Sequence, residues 1–177
     1  MKKVVIVIST IIAFIIIYLL QSNFFNWFTI SGVKPNLFII LVLFIGLFGG
    51  KYLGISLGVF FGLMIDILIG KKIGVSAIML GGIGILGGYF DKNFSKESKM
   101  TIMLMVIGST ILYEIGTYFI NAIIFSYSIE ISNLIIKALI ETIYNAILTI
   151  ILYPIMQRVG FFIEDTFKEN RILTRYF

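Results

Sequence analysis

A chain of 177 residues that is 59% hydrophobic and 13% charged, with a mean hydropathy of +1.08, is too apolar for a water-soluble domain and reads as an integral membrane protein. Its lack of cysteine and histidine removes disulfides, thiol nucleophiles, histidine acid–base catalysis and nearly every zinc or haem site. The net charge of +5 is scattered singly between apolar runs, with no basic patch interleaved with aromatics, which argues against a nucleic-acid partner and for membrane topology.

Lys2 and Lys3 precede a first apolar run, residues 4–20. It is longer than the core of a secretory signal and has no small-residue cleavage site after it, so it reads as a retained spanning helix. Phe24, Phe25, Trp27 and Phe28 follow, rings of the kind that settle at the headgroup layer. Pro35-Asn36 opens the second run, 37–48. From 35 to 50 it reaches only about 24 Å as a helix, so crossing a core of about 30 Å requires bilayer thinning or shelter by neighbours. Runs over 52–69, 73–90, 100–125 and 134–156 complete the set, separated by short charged gaps. The expected fold is all-α and polytopic. A single membrane domain of six transmembrane helices fills residues 1–160, and 161–177 forms a short amphipathic tail on the cytoplasmic surface or, equally, a solvated and partly frayed terminus.

Six crossings place both ends on one side. That side then holds Lys2, Lys3, Lys51, Lys92, Lys96, Lys99, Arg158, Lys168, Arg171 and Arg175, against Lys34, Lys71, Lys72 and Lys137 on the other. The bias puts both termini in the cytoplasm.

Gly54, Gly58, Gly62, Asp66 and Gly70 recur at every fourth position, forming one seam of nearly bare backbone on the third helix. In lipid, small residues in line let two backbones approach until dispersion and weak hydrogen bonds hold them. The seam serves either internal packing or the docking of a helix from another protein. Gly81, Gly82, Gly84, Gly87 and Gly88 add a second small-residue surface on the fourth helix. The second to fourth helices should therefore pack tightest.

Asp66, Glu114 and Glu141 are the acids inside the spans, with Lys137 near the start of the last. Asp66 falls roughly one turn below the outer surface, Glu114 about 21 Å along the fifth helix and Glu141 about 10 Å into the sixth. All three belong to the outer half. Glu114, Tyr118 and Asn121 share one helical face, and Lys137, Glu141, Asn145 and Thr149 another. Acids in lipid are costly and usually have a function, so Asp66, Glu114, Tyr118, Asn121, Glu141 and Asn145 define a candidate polar cavity opening outward. The plainer alternatives are local: Asp66 snorkelling beside Lys71, Glu114 bonded to Lys137 or Asn145, and Glu141 paired with Lys137 one turn earlier. No H-E-x-x-H, G-x-S-x-G or P-loop sequence is present, so no catalytic residue, metal ligand or cofactor site is assigned.

Pro35-Asn36-Leu37 opening the second helix, Gly58 and Gly62 leading to Asp66-Ile67-Leu68, Gly70 and Gly74 closing the hairpin, and Tyr153-Pro154 near the end of the last helix form an ordered set. In this order the chain resembles the MreD family of bacterial rod-shape-determining membrane proteins, over nearly its whole length and most specifically over 35–74. The resemblance implies a non-enzymatic, multi-pass subunit of the elongation machinery in the bacterial cytoplasmic membrane. It would bind single-span MreC, and through it act with the MreB filament and the synthase pair that builds peptidoglycan. The resemblance also implies a fold similar to the substrate-binding subunits of energy-coupling-factor vitamin transporters. A second reading therefore stands beside the scaffold, that of a subunit capturing a vitamin-like ligand. Such pockets need several placed polar groups and often a tryptophan, whereas Trp27, the single tryptophan, lies in the outer belt, so the scaffold is preferred.

Overall fold

Of the helix α2 (Leu37–Gly49), every residue from Leu37 to Phe48 except Leu41 is buried, and α2 touches each of the other five α-helices. A segment apolar on all sides suits a site enclosed on all sides. The computed structural model describes residues 2–69, 73–93, 96, 98–125 and 130–168. Around α2 stand α1 (Lys2–Ser22), α3 (Lys51–Ile69), α4 (Val75–Asn93), α5 (Lys99–Phe125) and α6 (Ile131–Lys168), with a 3-10 turn at Phe24–Asn26. Among the described residues there is no strand, only an isolated bridge between Ile30 and Val33. Ser31 and Gly32, between them, both have positive φ, as a tight reversal requires.

By length and composition α1, α3, α5 and α6 are each able to cross a bilayer, while α2 and the apolar stretch Val75–Asp91 of α4 are shorter. Their outward faces are stripes of Ile, Leu and Phe. Ile8, Ile12, Ile15 and Leu19 on α1, and Ile136, Leu139, Ile143, Ile147 and Ile151 on α6, are exposed. Such a surface is solvated by lipid tails, with each helix satisfying its own backbone. Phe14 anchors α1 inward, stacked on Phe61 at 4.7 Å and tilted against Phe38 at 5.2 Å.

α2, α3 and α4 meet backbone to backbone. A Cβ added to Gly54 would lie 2.5 Å from the Gly84 carbonyl oxygen, and one added to Gly58 2.5 Å from that of Leu80. Gly62 faces Ala77 in the same way, and Gly46 of α2 meets Gly84 and Gly87. The α3 seam is thus occupied by α4 and α2; Gly70 lies outside the described residues, as do Lys71 and Lys72. Gly50, at φ 86, donates to the Gly46 carbonyl at 2.9 Å and lets the chain pass from α2 into α3 in one residue.

The last helix runs on past the end of the expected apolar run at 156. α6 continues through Pro154 to Lys168 without interruption, about 57 Å in all. Proline withholds one hydrogen bond, from the Ile150 carbonyl, yet the flanking turns persist on their packing: Gly160 lies against the Phe48 ring and Ile163 joins the core. Lys96 reinforces this end, its ammonium 2.5 Å from both Asp91 and Glu164. The stretch expected as a separate tail thus begins as part of α6, and 169–177 lies outside the described residues.

Candidate functional site

The sequence-predicted acids are all buried, and two of them face each other between α5 and α6. Asp66 stands apart in role. Its carboxylate accepts N–H bonds from Gly74 at 2.7 Å, Ser76 at 3.1 Å and Ala77 at 3.4 Å. Those are the first free donors of α4, where the positive end of the helix dipole also favours an anion. Asp66 is therefore turned inward, closing the α3–α4 hairpin.

Glu114 of α5 is 2% exposed and Glu141 of α6 is 3% exposed. Lys137 reaches across from α6 to Glu114 at 2.7 Å, an interhelical ion pair in which the lysine side chain is half-exposed and the carboxylate buried. Glu141 lies beside Glu114, Lys137 and Asn36. The Tyr113 hydroxyl sits among the side chains of Ser76, Asn36, Glu141 and Glu114, which carries the cluster to the start of α4. Glu114 Oε1, Glu141 Oε1 and Asn36 Oδ1 are buried with no hydrogen-bond partner among the described residues.

Asn145, fully buried, ties three helices. Its Oδ1 accepts the backbone N–H of Asn36 at 2.9 Å, and its amide donates to the Thr110 hydroxyl at 3.0 Å. Thr110 in turn donates to the Val106 carbonyl, and Thr149 to the carbonyl of Asn145. In a medium with no water to compete, such bonds fix which helix faces meet. Tyr118 and Asn121 continue the Glu114 face toward the end of α5 and are half-buried; the Tyr118 hydroxyl has no partner among the described residues.

The polar groups thus form one chain of contacts from Asp66 through Ser76 and Tyr113 to Glu114, Glu141 and Lys137, with Asn145 alongside. Asn36, Ser76, Thr110 and Tyr113 were not foreseen as members. Tyr113 adjoins Glu114 and Thr110 precedes it by one turn, which is a signal of position; Asn36 and Ser76 join only through tertiary packing. Among the described residues no group of three or more acidic side chains is disposed to hold a metal ion.

A cavity of about 460 Å³ lies at the opposite end of the bundle, between the first half of α1, the second half of α2 and the last third of α6. Its walls are almost wholly apolar and include none of the carboxylates above.

No curated protein and no solved structure matches the chain. The model of the rod shape-determining protein MreD family matches residues 1–159. With nearly its full length matched, and with a helical membrane fold to agree, the chain belongs to the MreD family of rod shape-determining proteins.

Proposed function

We propose that this protein is a non-enzymatic scaffold subunit of the bacterial cell-elongation machinery, which binds MreC within the cytoplasmic membrane. Through MreC it helps couple the MreB filament to the peptidoglycan synthase pair. The family match over 1–159 carries this reading. The buried polar side chains support it, since most of their bonds join one helix to another and so serve shape. Because α4 and α2 already occupy the Gly54, Gly58 and Gly62 seam, a partner helix meets one of the outer apolar stripes instead.

The proposal includes six crossings with both termini in the cytoplasm. α2 is only about 20 Å long, but its neighbours enclose it, so it does not have to match lipid along its length. The spread of lysine and arginine favours the same orientation. Depletion in the native bacterium tests the function directly. Rods should round up, a tagged copy should restore them, and MreC should copurify with that copy. Cells that stay rod-shaped, or a purified protein free of MreC, would reject the scaffold.

A further inference from the structure

We infer that the groove between α1, α2 and α6 holds one anionic phospholipid, with an acyl chain against Phe44 and Phe48 and its phosphate on Arg158. The groove walls offer little to a polar guest. Thr10 spends its hydroxyl on the Ile6 carbonyl at 2.5 Å, Ala13, Ile45 and Met156 bring apolar surface, and Ser9 and Arg158 are the remaining polar side chains of the lining. An apolar occupant gains there and a hydrogen-bonding one does not.

Size separates a chain from a helix. On α6 the groove runs from Ile155 to Ile163, about 12 Å or little more than two helical turns, a short seat for a spanning helix and enough for much of an acyl chain. A single acyl chain is the slimmer fit. Charge selects the headgroup. Arg158 lines the groove and has no ion-pair partner among the described residues, whereas Asp91 and Glu164 are already held by Lys96. From Ile131 to Arg158 is about 40 Å along α6, which exceeds a core of about 30 Å and brings the guanidinium to headgroup depth. There its planar fork matches a phosphate.

Fluorescence quenching by brominated lipid tests this on the full chain in vesicles. With Trp27→Phe removing the native tryptophan, Phe44→Trp places a reporter on the groove floor, and Met156→Trp gives a second one on α6. Brominated phosphatidylglycerol should quench both at about fivefold lower mole fraction than brominated phosphatidylcholine. Arg158→Gln should erase that difference, and Arg158→Lys should keep most of it. Equal quenching by the two lipids with Arg158 in place would overturn the proposal. So would the absence of quenching from both reporters, the result expected if a protein helix or another occupant fills the groove.

Discussion

At the scale of single residues, Asp66 shows how a costly group becomes useful. An acid in the last turns of α3 opposes the negative end of its own helix dipole, yet the same carboxylate meets the positive start of α4. Charge-assisted bonds of this kind contribute roughly 1.5–3 kcal/mol each when buried, so the hairpin depends on this side chain. Asp66→Ala should lower the apparent Tm in detergent markedly, by more than about 2 kcal/mol of stability. Asp66→Asn should recover part of the loss, because its amide oxygen still accepts one N–H. Equal melting of wild type and Asp66→Ala would remove the capping role. The sequence placed Asp66, Glu114 and Glu141 inside apolar runs, and all three are buried among the helices. What Asp66 bonds to was not legible, since eight residues and a reversal separate it from Gly74, and only the returned backbone puts them together.

At the scale of helices, fourfold spacing made the α3 seam legible, but spacing cannot say what lies on it. Packing decides that, and glycines of one region differ sharply in consequence. A methyl at Gly58 meets the rigid Leu80 carbonyl at 2.5 Å, whereas one at Gly82 meets nothing within 4 Å. Gly58→Ala should therefore push α3 from α4 and lower thermal stability, while Gly82→Ala should be neutral or gain up to about 1 kcal/mol from helix propensity. Size-exclusion traces after heating a graded series would distinguish them, and equal behaviour of the two variants would refute the close contact. The extent of α6 was illegible for a similar reason. The apolar run ends at 156, and the contacts of Gly160 with Phe48 that carry the helix onward are far away in sequence.

At the scale of the whole molecule, the six apolar runs and their order were plain from the sequence, because membrane helices announce themselves by hydropathy and charged breaks. The short run at 37–48 was ambiguous, since hydropathy does not distinguish a weak span from a helix walled in by five others. Enclosure is the physical reason to let α2 cross, and chemistry makes the crossing easy to test. Having no native cysteine, the chain accepts single reporters at Thr29, Lys51, Lys99 and Glu130, all exposed positions at the ends of helices or between them. In intact cells an impermeant maleimide should label Thr29→Cys and Glu130→Cys, and should reach Lys51→Cys and Lys99→Cys only after permeabilisation. The decisive pair is Thr29 and Lys51, which flank α2. If both label from the same side, α2 turns back within the bilayer, the crossings after it reverse, and Arg158 and the polar cluster exchange sides of the membrane.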